Sequence, residues 1–375
     1  MSKLFRVKLV CLLGSSLFWI SISLLYWKSR GIDYDLGYKL LSLYSIAIVL
    51  LEYPTGVIGD HFSHRLSVIF GFSLNAVSMF LISLSGPTGF YIVALILLAL
   101  GQSLITGSIT ALLYSVSGNF KKDNADIGFW TVIWGMLSTA VGGFLADVDL
   151  RIPIWLSSVA FAVGVPILLS LNVESNKKIQ GNIFSRAVVG VKSIYSDKKL
   201  LSLTLLYGLL GGLFLSYKWL YNPIFDEMGL KVVWWGILAG FATFLVAVGS
   251  KVYPRLPKFG SMFIVLMVVI SSVMMSIFGI PVIVILGLMG GHFMRGLSST
   301  FFEYEINTRV KDTVRASVIS FQSLLSRLAS SGMLLGIGFV LDNYGVGIVG
   351  ICIAVVLGSL GLVFAFWDRT NDKTV

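Results

Sequence analysis

Charge is scarce in this chain. Asp, Glu, Lys and Arg together make up 12% of its 375 residues, about half the share found in soluble domains. So few ionic groups cannot cover a water-facing surface of that size, which excludes an ordinary soluble domain. Cysteine is nearly absent as well. Cys11 and Cys352 both sit inside apolar runs, so they read as small buried hydrophobes with no disulfide framework. The three histidines, His61, His64 and His292, lack metal-ligand spacing. No phosphate-binding glycine loop and no Ser/His/Asp set occurs, which argues against an ATP-driven pump or a hydrolase and leaves no cofactor to expect. No Asn-x-Ser/Thr sequon is present either, which fits a bacterial inner membrane.

What fills the chain is apolar sequence. Hydrophobic residues reach 56% and the mean hydropathy is +0.90. A bilayer span needs about 20 apolar residues, and the sequence breaks into twelve such runs, near 9–27, 38–59, 67–85, 90–115, 127–146, 153–172, 200–222, 232–250, 260–279, 281–305, 314–340 and 345–367. The first run is long for a signal peptide and lacks a small-x-small cleavage site, so it is counted as helix 1. The only long polar stretch is 173–199. It divides the chain into halves at 1–172 and 200–375. Its centre, Phe184–Tyr195, reads as either an amphipathic helix on the lipid surface or a solvated linker. The expected fold is all-α, with twelve transmembrane helices in two pseudo-symmetric six-helix halves.

The net charge of +10 would suggest nucleic acid in a soluble protein. Here its distribution gives another answer. With the N-terminus inside, only Lys28, Arg30, Lys39, Arg151 and Lys231 fall in outer loops, and Lys218, Arg295 and Arg327 lie within spans. The rest of the 28 basic residues are cytoplasmic. That bias orients the chain with both termini in the cytoplasm and removes nucleic acid as a partner.

Residues 46–71 carry the most telling local pattern. An apolar run holding Glu52 continues through Pro54, Thr55 and Gly56 to a short polar turn, Asp60-His-Phe-Ser-His-Arg65, and a second apolar run begins at once. Gly56-x-x-x-Asp60 followed by Arg65 resembles the loop between helices 2 and 3 of the major facilitator superfamily. His61, Ser63 and His64 stand where that family usually has a base, a glycine and a base. A second likeness runs over 295–342, through Arg295-Gly, Glu305-Ile-Asn307, Arg315-Ala-Ser317, Arg327 and Gly338 to Asp342. The halves also echo each other, Gly143-Phe-Leu-Ala-Asp147 matching Gly338-Phe-Val-Leu-Asp342, as internally repeated transporters do. A second copy of the loop keeps Gly249, Lys251 and Arg255 but lacks the aspartate.

Ionisable side chains inside a membrane are costly, so each is a functional candidate. Glu52 lies about 12 Å deeper than Asp60, and Arg327 about 18 Å beyond Arg315, at 1.5 Å per helical residue. The resemblance implies that helices 2 and 11 come from opposite halves, so Glu52 and Arg327 are candidates for a proton-coupling pair or for a static one. In the tenth run, His292, Arg295, Ser299 and Glu303 share a stripe about 80° wide, while Glu305 points elsewhere. The resemblance places that helix at the cavity, where the stripe binds substrate or simply packs. Lys218 either contacts substrate or snorkels to the interface. Gln102 in the fourth run and Trp19 in the first complete the cavity candidates, and Gly142 and Gly143 suit close helix approach. Asp60 is expected either to latch onto the first turn of the eleventh run, near Thr313, Val314 and Arg315, or to cap its own turn. Arg65 is expected against lipid phosphates, Asp123 or Asp126.

The resemblance implies a secondary active transporter in the cell membrane, a monomer partnered by lipid, a small-molecule substrate and protons. Export of a small amphipathic compound, neutral or anionic, is the leading expectation. The fourth run lacks the arginine, and the fifth the proline, that many proton-linked drug exporters carry. Proton-coupled import of an anionic nutrient and a sensor that has lost transport are the rivals.

Overall fold

A computed structural model of the chain describes residues 2–61, 63–84, 86–172, 192, 194–195, 197–256, 260–310 and 315–372. Every regular element among them is helical, and no strand occurs among the described residues. Among the described residues, ten helices are long and apolar enough to cross a membrane, and Ser261–Met274 is a shorter apolar helix. Their bounds fall on the expected runs. Numbered in chain order, the helices are α1 (Lys3–Gly14), α2 (Ser23–Lys28), α3 (Tyr34–His61), α4 (His64–Ser83), α5 (Thr88–Val116), α6 (Phe120–Ala146) and α7 (Ile152–Leu169). They continue as α8 (Lys198–Tyr217), α9 (Tyr221–Glu227), α10 (Val232–Val252), α11 (Ser261–Met274), α12 (Pro281–Asn307), α13 (Arg315–Tyr344) and α14 (Val346–Asp372). Large apolar side chains stand exposed on the long helices, such as Leu50, Val93 and Val355, a surface suited to a hydrocarbon solvent.

The chain divides into two compact units. The first is Met1–Gln180 with Gly229–Phe241, and the second is Gly181–Met228 with Ala242–Val375. α10 is thus shared, its first half belonging with one unit and its second half with the other.

In the first unit the expected helix over 9–27 is interrupted. α1 stops at Gly14 and regular helix resumes at Ser23. The stretch Gly14-Ser-Ser16 with Ser21 and Ser23 is rich in residues that compete with helical backbone pairing. α6 is shaped to receive the break. Leu17 N donates to Ser138 Oγ at 3.0 Å, Thr139 Oγ1 donates to Leu17 O at 3.3 Å, and Trp134 Nε1 donates to Ser16 Oγ at 2.9 Å. Only a glycine fits at 142, since a Cβ there would lie 1.9 Å from Phe18 O. Gly143 also meets Gly236 of α10 closely, a Cβ on either lying 2.7 Å from the other's Cα. Between α4 and α5, Gly71 and Gly101 bring backbones together in the same way.

The second unit repeats these devices. Its first expected helix, 200–222, is also interrupted: α8 ends at Tyr217 and α9 begins at Tyr221. α8 lies against α13, where Gly212 leaves room for Ala329 and Ser216 Oγ meets Ser330 Oγ at 3.1 Å. α12 lies against the second half of α10, with Ser250 Oγ donating to Gly296 O at 2.9 Å. A Cβ on Gly296 would sit 1.8 Å from Val246 O.

Candidate functional site

The second unit holds a cavity of about 600 Å³. α8 contributes Tyr207, Gly211, Phe214 and Leu215 to its wall, and α12 contributes Arg295, Ser298, Ser299, Glu303 and Asn307. α13 contributes Ile319, Gln322, Ser323, Ser326 and Arg327, and Val246 closes it. The glycines help to set how closely these helices approach around the cavity. Gly211 lets Ser326 approach, since a Cβ there would lie 2.4 Å from Ser326 Oγ. Ser299 spends its proton on its own helix, donating to Gly296 O at 2.9 Å, so its oxygen faces the cavity as an acceptor. Gln322 is only 6% exposed, and its Nε2 makes no hydrogen bond among the described residues.

Helical periodicity proposes a stripe of four on α12, and the fold divides it. Arg295, Ser299 and Glu303 line the cavity. His292 does not. It is 1% exposed, stacked on Tyr221 at 5.1 Å and edge-on to Tyr217 at 5.9 Å, and shares a 2.8 Å hydrogen bond between Nε2 and Tyr221 Oη. Glu305, off the stripe, pairs instead with Arg309 at 3.7 Å. Lys218 lies just beyond the end of α8, half-buried, its Nζ 4.7 Å from the Trp219 ring. It is not among the wall residues, but both Arg295 and Arg327 act on it electrostatically. Arg315 opens α13 and donates through Nη2 to Asn307 O at 3.4 Å. Gln322, Ser326 and Tyr207 were not singled out by sequence reasoning. An i, i+4, i+5 pattern of Gln322, Ser326 and Arg327 in a serine-rich run was the available signal.

The remaining candidates lie in the first unit. Gln102 is half-buried on α5, and Trp19 is 8% exposed in the break between α1 and α2. Glu52 is half-buried on α3, and its backbone carbonyl accepts from Thr55 Oγ1 at 3.2 Å. Pro54 stays inside α3, and Gly56 faces open space. The side chain of Asp60 lies outside the described residues, as do Thr313 and Val314, and with them the expected latch. Arg65 has partners other than those expected. Its Nε donates to Leu168 O at 3.0 Å and its Nη2 to Leu169 O at 2.6 Å, capping the C-terminus of α7. Arg6 adds a third bond there, Nη1 to Ser170 O at 2.7 Å. These cations meet the negative end of the α7 dipole and its terminal carbonyls. Asp123 is paired with Lys8 at 2.9 Å and accepts from Ser117 Oγ at 2.6 Å, and Asp126 lies 3.7 Å from Lys8. At the opposite end of this unit, Arg151 chelates Asp149, with Nη2 to Oδ2 at 2.7 Å, and lies 5.7 Å from the Trp155 ring. That guanidinium holds the Asp149 carboxyl at about 2, below its usual 3.8.

The Major Facilitator Superfamily model matches residues 4–332. Among solved structures, the chain is similar to the nucleoside transporter NupG, with a TM-score of 0.79 at 15% identity over 98% of this chain and 100% of that one. It is also similar to a POT family transporter in complex with 5-aminolevulinic acid, with a TM-score of 0.72 at 13% identity over 98% and 96% of the two chains. A D-xylose-proton symporter gives a TM-score of 0.72 at 12% identity over 95% and 97%. No curated protein matches the sequence at a significant level. At these identities the solved structures establish the fold alone. Taken with the family match and the apolar helices, they make this multi-pass, all-helical membrane protein a member of the Major Facilitator Superfamily.

Proposed function

We propose that this protein is a secondary active transporter that exports a small amphipathic organic compound, driven by the proton gradient across the cell membrane. The observation that carries the reading is the cavity of about 600 Å³ in the second unit. That volume suits a drug-sized solute. Its wall joins aromatic surface from Tyr207 and Phe214 to a few polar groups, Arg295, Ser299 and Gln322, the mixture that orients an amphipathic ligand. The protein works by alternating access, as a monomer, with both termini on the cytoplasmic side. In the first unit, Arg6, Lys8 and Arg65 gather at the end marked by the start of α1 and the end of α7, the basic end expected to face the cytoplasm.

Flux in proteoliposomes tests the reading. Outward-directed export should accelerate when a proton gradient is imposed and vanish when it is collapsed. Import driven by the same gradient would instead favour uptake of an anionic nutrient, a reading that the two cavity arginines support. Flux in neither direction, with a ligand still bound, would reject transport. Topology is tested by accessibility scanning after Cys11 and Cys352 are replaced. Labelling of a cysteine at Ser175 from outside intact cells would overturn the orientation.

A further inference from the structure

Resting on the reading of this cavity as a solute site, we propose that its solute is an organic carboxylate, with the charged end held by Arg295 and Arg327 and by the side-chain amide of Gln322. Three observations converge on an anion.

The first is charge. Two guanidinium groups line the cavity, against one carboxylate, Glu303. Glu303 lies eight residues further along α12 than Arg295, about 12 Å along the helix axis, and is exposed. Lys218, just outside the wall, stands in the field of both arginines. The cavity is therefore positive at the Arg295 end. The second observation is the lack of internal compensation. Among the described residues no carboxylate lies within 4.0 Å of Arg295 or of Lys218. Cations inside a membrane segment are costly unless paired or wetted, and a bound anion supplies what the protein withholds.

The third is the hydrogen-bond inventory. The Arg295 guanidinium has five N–H donors and no acceptor. Gln322 adds a buried amide whose Nε2 makes no hydrogen bond among the described residues. Arg295 and Gln322 bring unused donors to the wall, and an amine set against them would oppose donors with donors. A carboxylate is acceptor-only when ionised and takes two parallel bonds from a guanidinium fork. Tyr207 and Phe214 offer apolar surface for the rest of the molecule.

The test is a thermal-shift screen of the purified full-length protein in detergent, using matched triplets of an acid, its primary amide and its amine analogue. Indole-3-acetate, indole-3-acetamide and tryptamine form one such triplet. Stabilising compounds should be acids, with their amides and amines inert. Arg295→Gln and the near-isosteric Gln322→Glu should each weaken binding of those acids at least about tenfold, while the variants elute and melt as folded proteins. The second variant places a carboxylate where the substrate's own would sit. Stabilisation by amides or amines as strong as by acids overturns the anion assignment and leaves the transport reading standing. Undiminished acid binding in both variants removes these residues from the site. No stabilising compound in any class overturns the cavity as a solute site, and this proposal with it.

Discussion

Arg65 of the first unit and Arg295 of the second are put to opposite uses. In the first unit, Arg65 and Arg6 are spent on carbonyl oxygens at the end of α7, and Lys8 on Asp123. In the second, Arg295 faces a cavity with no acid within 4.0 Å among the described residues. The same side-chain type serves architecture in one place and lines a cavity in the other. What separates them is the neighbourhood. A helix C-terminus presents carbonyl oxygens that a guanidinium can bond, whereas the glycine- and serine-lined faces of α8 and α13 present space. The difference teaches that a cation inside or beside a span is a functional candidate only once its partners have been counted.

The sharpest way to break this comparison is to remove the available arginine. Arg295→Ala should abolish flux of the solute in proteoliposomes while the protein remains folded, and Arg295→Lys should restore only part of it, because an ammonium lacks the planar two-pronged contact. Wild-type flux in Arg295→Ala would make Arg295 another architectural residue. Next in size is the cradle for the interrupted first helix. Gly142→Ala places a methyl group 1.9 Å from Phe18 O and should cost about 1–3 kcal/mol or more through overpacking. A lowered melting temperature checks it, and an unchanged one would show that the break can shift.

A smaller effect tests the architectural arginines. Arg65→Met removes two bonds to α7 carbonyls, those of Leu168 and Leu169, and should cost about 1 kcal/mol in stability. Ligand binding in the cavity should be unaltered, and loss of binding without loss of stability would blur the distinction between the units. The smallest effect lies at the opposite end of the first unit. Asp149 is held at about 2 in the folded protein, against 3.8, by Arg151. Its folded pKa is depressed, so its contribution is complete above pH ~4 and is lost as the pH falls toward ~2. The melting-temperature difference between wild type and Asp149→Asn should therefore shrink over that range. A constant difference would remove the ion pair as its cause.

Most of the helical framework was legible beforehand because each span is a local property. A run of about 20 apolar residues satisfies its own backbone and needs no partner to be recognised, and the described helices fall on the expected runs. The interruptions at 15–22 and 218–220 were not anticipated. Their serines and glycines are visible in the sequence, but what stabilises the first break is α6, whose Ser138 and Thr139 are more than 120 residues away. Periodicity alone placed Arg295, Ser299 and Glu303 on one face, since a rigid helix fixes angular spacing.

Periodicity could not decide what that face would meet. Tyr221 comes from a different helix and takes His292 into a packed, hydrogen-bonded cluster, leaving Arg295 to the cavity. Arg65 shows the same limit, because the carbonyls it caps lie 103 and 104 residues further along the chain. Composition and apolar run length alone determined a many-helix membrane protein, and the loop pattern pointed to its family. Which cations are bonded within the protein and which face a cavity was decided by the tertiary structure, because hydrogen-bond partners of buried side chains are set by packing between helices distant in sequence.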